Sequence, residues 1–225
     1  VSGSISGAHG IEINFPTVAT LTGGTISLTG NNEYSGTTRI ATGTLSLGNV
    51  NALKNSTLDT GSLGTQQVTF SVAGTNTYNI GALQGADDLA IGANSISVGS
   101  NNASTTYSGV ISGSGGLTKL GDGTTTLTAA NTFTGTTLVS GGALALGNAN
   151  ALQNSILDTG TSGAQQVTFT VAGNSTYNIG ALQGLDNLAI GANNISVGSN
   201  NASTTYSGVL SGTGNFSKVG TGTQI

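Results

Sequence analysis

The residues that could carry acid, base or metal chemistry in this chain are few and scattered. The carboxylates are Glu12, Glu33, Asp59, Asp87, Asp88, Asp122, Asp158 and Asp186; there is one histidine, His9, and no cysteine. Glycoside chemistry needs two carboxyl groups about 5 to 9.5 Å apart across one bond. Asp59 recurs as Asp158 and Asp87 as Asp186, each 99 positions later. Should one such period make about five stacked coils, the members of each pair lie roughly 24 Å apart along the stack, too far to share a bond. The one adjacent pair, Asp87-Asp88, reads Asp186-Asn187 in its second occurrence. Carboxylates at turns that accept nearby backbone amides account for it. A calcium site is the sharper alternative, but the Gly-Gly-x-Gly-x-Asp run that binds calcium in other solenoids is missing.

The remaining candidates are no stronger. A Ser-His-Asp arrangement would need His9 and partners from the irregular first residues. Lys119 and Lys218 hold the same repeat position and are expected to be solvated. Gly113-Ser-Gly-Gly and Gly121-Asp-Gly resemble phosphate loops, yet neither opens a helix nor is followed by Lys-Ser/Thr in frame. Without cysteine there is neither a disulfide framework nor a thiolate metal site. No catalytic, cofactor-binding or metal-binding residue is expected, and the chain does not read as an enzyme.

What must position these residues is a repeat. Tyr34-Ser-Gly-Thr-Thr and Phe133-Thr-Gly-Thr-Thr are one phrase, 133 − 34 = 99 positions apart, and residues 28–126 match 127–225 at 67 of 99 positions. From Thr77 to Gly113 only four of 37 positions differ. Three segments follow: an irregular lead-in over 1–27, one copy over 28–126 and a second over 127–225, wound as one continuous solenoid. Ile5-Ser-Gly in the lead-in echoes Ile111-Ser-Gly, but its step to the next Gly-Thr-Thr is longer, 36 − 5 = 31 positions against 135 − 111 = 24 in the later copy. An insertion of about seven residues explains this, with Pro16, the only proline, in a loop or at a strand edge.

Within a copy, short apolar alternations separated by Gly, Asn, Ser and Thr read as strands joined by tight bends. They are TLSLG from Thr44, STLD from Ser56, VTFSVAG from Val68, TYNIGAL from Thr77, LAIG from Leu89, SISVG from Ser95 and TTYSGVISG from Thr105. Landmarks at Leu45, Val68, Leu89 and Val110 are spaced 23, 21 and 21. Turns of about 20 residues with two or three short strands each specify an all-β parallel solenoid, about 11 coils in all and roughly 50 Å long at about 4.8 Å per coil. Gly43, Gly48, Gly74, Gly81, Gly85 and Gly92 are the expected corners.

The composition agrees. Only 5% of residues are charged and 38 are glycine, against about 25% charged in an ordinary domain. Like charges stacked about 4.8 Å apart would repel, whereas Thr, Ser and Asn stack without that penalty. A β-sandwich would carry more surface charge and longer strands, and a propeller would repeat at about 40 to 50 residues. With 36% apolar residues in regular alternation, the chain has enough to bury to avoid disorder.

Gly113-Ser-Gly-Gly-Leu-Thr-Lys-Leu-Gly-Asp-Gly-Thr-Thr-Thr-Leu-Thr, followed by Asn131-Thr-Phe-Thr-Gly-Thr-Thr and Gly142-Ala-Leu-Ala-Leu-Gly-Asn, resembles the autotransporter-associated β-strand repeat. A weaker match spans Leu28 to Asn49, and Gly212-Thr-Gly-Asn-Phe-Ser-Lys-Val-Gly begins a third. That repeat occurs in passenger regions of bacterial autotransporters and in long bacterial surface proteins. The resemblance implies a right-handed parallel β-helix, export to the extracellular face or bacterial cell surface, and a role as stalk, spacer or adhesive surface. It brings no catalytic residue with it, and no translocating barrel is written in these residues.

The net charge of −4 offers no basic footprint for nucleic acid or anionic lipid. No apolar run long enough to span a bilayer and no leader is written, and the final Gly220-Thr-Gly-Thr-Gln-Ile reads as the middle of a repeat. An internal piece of a longer protein is therefore expected, with no membrane insertion by this segment. The expected partners are neighbouring repeats of the same or identical chains, and beyond them a host surface, other cells or glycans. Two alternatives to a stalk or adhesin are a fibre subunit stacking end to end, and a glycan- or ice-binding face of Thr and Asn rows. The second is weakened where Thr75 becomes Asn174.

Overall fold

The computed structural model describes residues 3–13, 24–64, 67–161, 163 and 166–225; Pro16 and the position expected for it lie outside them. None of the described residues is helical. Short strands are laid over one another in parallel, and every ladder between them is parallel. The chain is an all-β solenoid.

One face is continuous. Eleven strands pair there in sequence: Ile11–Ile13, Thr38–Ile40, Leu53–Asp59, Thr77–Gln84, Ser95–Val98, Leu117–Lys119, Thr137–Val139, Leu152–Asp158, Thr176–Gln183, Asn194–Val197 and Phe216–Lys218. Five of them belong to each period of the duplication, as the sequence spacing implied. Complete turns number about nine rather than the eleven expected, because a strand on this face does not by itself close a winding around the other faces. The rungs are uneven in length. In register, Thr38 meets Leu58 and Leu58 meets Leu83, while Tyr78 meets Ile96 and Ile96 meets Leu117, steps of 58 − 38 = 20, 83 − 58 = 25, 96 − 78 = 18 and 117 − 96 = 21. Ile11 pairs with Thr38 and Leu117 with Thr137, steps of 38 − 11 = 27 and 137 − 117 = 20. The first step is the longer by seven, which is the insertion read from the lead-in.

Alternation along each strand sends every second side chain inward. Tyr78, Ile96, Leu117, Thr137, Leu157 and Leu182 form one continuous register through six strands, and all six are buried. Each fully buried aliphatic side chain contributes roughly 1.5 to 3 kcal/mol. The one polar aliphatic member, Thr137, is satisfied because its hydroxyl lies 2.8 Å from Ser155 Oγ, which donates to the Gly135 carbonyl at 2.6 Å.

Of the glycines expected at corners, Gly43, Gly74, Gly85 and Gly92 adopt positive φ. Gly81 instead lies inside the strand Thr77–Gln84. A Cβ there would stand 2.6 Å from the Asn55 carbonyl carbon, so glycine is required by the close approach of the rung below, where the register of the long strand Leu53–Asp59 shifts.

The other faces are discontinuous. Thr25–Leu28, Thr44–Leu47 and Gln67–Phe70 make one short sheet, and Leu89–Gly92 pairs with Ile111–Gly113 in another. A third sheet runs through Thr105–Tyr107, Thr124–Leu127, Ala143–Leu146 and Gln166–Phe169, after which Leu188–Gly191 pairs with Leu210–Gly212. The even spacing of Leu45, Val68 and Leu89 reflects coil length and not a shared ladder. Leu45 does pair with Val68, but among the described residues no ladder joins Gln67–Phe70 to Leu89–Gly92. The same gap recurs between Gln166–Phe169 and Leu188–Gly191.

Candidate functional site

Most of the potentially reactive side chains serve the backbone. Asp59 accepts from the Gly61 amide at 2.9 Å and from Gln84 Nε2 at 3.1 Å; Asp158 repeats both contacts. Asp88 accepts from the Val110 amide at 2.8 Å, and Asn187 does the same for Val209 at 2.8 Å. The charge of Asp88 is therefore dispensable for that contact. These bonds extend the turn-carboxylate expectation, since Val110 lies one rung away and not in the same turn. His9, Glu12 and Asp122 are exposed. Glu33 meets Lys54 Nζ at 2.6 Å; the hydrogen bond from Lys54 holds the Glu33 carboxyl below its usual range. No three His, Cys, Asp or Glu side chains gather into a metal-binding group among the described residues.

Lys119 corrects the expectation of a solvated lysine. It is fully buried, in register between Val98 and Val139 on the inward ladder. Its ammonium donates to the carbonyls of Leu120, of Gly121 at 3.1 Å and of Gly141, one rung on, at 3.2 Å. Burial pushes its pKa down, against the opposing field of Asp122. The sequence already held the signal: in Leu117-Thr-Lys the lysine falls two places after an inward leucine, so alternation carries it inside. Lys218 makes the equivalent bonds to Val219 and Gly220 but is exposed.

What the sequence did not show are two clefts at the ladder gaps. Both have Gln67-type and Leu89-type strands as walls, with volumes of about 690 Å³ in the first copy and 630 Å³ in the second. The first is lined by Val68, Phe70, Asp87, Asp88, Ala90 and Asn94 among others, and the second by their equivalents. Asp87 and Asp186 are 6% and 8% exposed. One oxygen of each accepts an amide at 2.7 Å, from Gly64 and Gly163. The other oxygen of each is buried without a hydrogen-bond partner among the described residues, which is costly unless something satisfies it. Phe70 and Tyr78 meet edge to face with centroids 4.7 Å apart, as do Phe169 and Tyr177. Tyr107 donates to the Asp87 carbonyl at 2.7 Å, and burial, aided by Asp88, raises its pKa.

The outward Thr rows are irregular. Thr124 is followed in register by Ala143 and Gln166, and Thr126 by Ala145 and Thr168. Alanine interrupts the hydroxyl array on which an ice-like lattice would depend.

Residues 20–47 and 117–146 match the passenger-associated transport repeat. Over 115 residues, 50% of this chain, the sequence is 38% identical to the adhesin BmaC autotransporter of Brucella suis biovar 1 (strain 1330). The chain spans only 3% of that relative's length. No solved structure matches the chain. The chain is thus a parallel β-solenoid in which two stretches match the passenger-associated transport repeat.

Proposed function

We propose that the chain is a non-catalytic segment of a bacterial cell-surface passenger, a rigid β-helical stalk that holds adhesive surface away from the cell. The observation that carries this reading is the uninterrupted eleven-strand face, whose ten steps at about 4.8 Å make a rod of roughly 48 Å. The fate of the acidic side chains supports it: Asp59, Asp88 and Asp158 are engaged by backbone amides and side-chain amides of adjoining rungs, and no two copies of one carboxylate share a rung. A relative named as an adhesin agrees with a surface location.

The test joins shape to activity. The purified chain is expected to scatter X-rays as a monodisperse rod and to leave pectin, alginate and similar polysaccharides intact. In cells displaying the parent protein, deleting residues 127–225 should shorten the displayed structure by about 24 Å while leaving it on the surface. Turnover of a polysaccharide that a single Asp substitution abolishes would overturn the non-catalytic reading. Filaments of the isolated chain in negative stain would replace the stalk with a fibre subunit.

A further inference from the structure

Two threonine hydroxyls in the interior of the first copy stand without a protein partner. Thr105 and Thr125 are paired in register on neighbouring rungs. Alternation sends both side chains to the same inward side as Tyr107 and Leu127, two places further on, and both of those are buried. The hydroxyl oxygens of Thr105 and Thr125 are themselves buried, with no hydrogen-bond partner among the described residues. A hydroxyl can donate and accept, and leaving it unpaired in an interior is costly.

The second copy shows what this place accepts. Thr105 recurs as Thr204, 204 − 105 = 99 positions on, but the counterpart of Thr125 is Gln224, 224 − 125 = 99. Thr204 and Gln224 keep the same parallel pairing. The Gln224 carboxamide is fully engaged there: Oε1 accepts from the Thr204 hydroxyl at 3.0 Å and from the Leu182 amide at 3.4 Å. Nε2 donates to the Leu182 carbonyl at 3.0 Å and to the Thr204 carbonyl at 3.4 Å. Leu182 lies two rungs below, and its first-copy counterpart is Leu83, 182 − 83 = 99. Leu83 pairs with Leu58 just as Leu182 pairs with Leu157.

Threonine is too short to span two rungs as glutamine does. In the first copy the joining group must therefore be a separate molecule no larger than a carboxamide head, able to donate and to accept. The partners it meets are neutral hydroxyls and main-chain groups, and a bare ion buried among them would lose its hydration without a counter-charge. Water meets each condition, and buried waters in proteins typically make about three such bonds.

We infer that the interior between Thr105 and Thr125 is a binding site for one water molecule, held by both hydroxyls and by the Leu83 main chain. Gln224 is the chain's own replacement for that water in the second copy. The residue at this one repeat position thus decides whether a rung junction is hydrated or sealed by protein. The inference rests on the comparison of the two copies and does not depend on the stalk reading.

The test follows long-lived internal water by oxygen-17 magnetic relaxation dispersion on the full 225-residue chain, beside a high-resolution crystal structure. The density should show one water about 3 Å from both threonine hydroxyls. Thr125→Gln, which copies the second repeat, should lose about one long-lived water from the dispersion without lowering the urea midpoint. Thr105→Val with Thr125→Val keeps the side-chain shape and removes both hydroxyls, and should lose the same water. That double variant decides the matter should the longer glutamine fail to fit beneath the next rung. A direct hydrogen bond between Thr105 and Thr125 with no water between them would overturn the inference, as would an unchanged dispersion amplitude in the double-valine variant.

Discussion

The continuous face and the broken faces of this solenoid are made from the same short strands, yet only one runs through all eleven rungs. On the continuous face, rungs of unequal length keep register because extra residues are absorbed inside the long strands, as at the shift between Leu53 and Thr57. On the other faces the same variation falls between strands, and the ladder parts after Phe70 and again after Phe169. Cohesion is thus concentrated on one side. Identical residues can serve opposite ends depending on which side takes up the slack.

The sharpest way to break this contrast is to cut a core side chain on each side. Leu83→Ala, at a fully buried position of the main sheet, should cost about 2 to 5 kcal/mol, read from urea unfolding. Phe70→Ala, half-buried beside a cleft, should cost less than about 2 kcal/mol, below the range for a fully buried Phe. Equal losses would mean that the gap is closed in solution. Next in size, Lys119→Met removes donors from three carbonyls in the interior and should cost about 1 to 3 kcal/mol. Lys218→Met, exposed, should change stability by no more than about 0.5 kcal/mol.

The response to alkali separates the buried groups. Lys119 has a folded pKa below its ordinary 10.5, so the unfolded chain binds more protons in that window and stability rises as pH climbs toward 10.5. Tyr34, Tyr107 and Tyr206 are raised above 10.0, chiefly by burial. Above about pH 10 the unfolded chain loses those protons first, and stability falls. Denaturant midpoints should therefore show a shallow rise followed by a steep decline, with the decline reduced in Tyr107→Phe. A midpoint flat through about pH 11 would contradict the buried positions of these phenols. The smallest expected effect is Asp88→Asn, within about 0.5 kcal/mol, because Asn187 already performs the same task in the second copy.

Much of the architecture could be read directly. TLSLG, TYNIGAL, LAIG and SISVG are all strands, since each carries its own apolar alternation. Inter-rung register was harder, because it depends on residues a full coil away and on where an insertion is absorbed. Val68 and Leu89, evenly spaced as they are, therefore do not share a ladder. Lys119 is hard to place for a different reason: its charge argues for solvent while the alternation of Leu117-Thr118-Lys119 argues for the interior, and three backbone carbonyls suffice to hold the ammonium inside. The unpartnered oxygens of Asp87 and Asp186 have no signature in one dimension, since any Asp at a turn reads alike.

The interrupted ladders also bear on mechanics. A beam sawn part-way through its section at regular intervals bends at the cuts and toward them. A solenoid fastened along one side and parted on the other once in every copy of the duplication should likewise be stiff in one plane and compliant in the plane across it. Its curvature under load would then be directional and periodic, with the period set by the duplication and not by the coil.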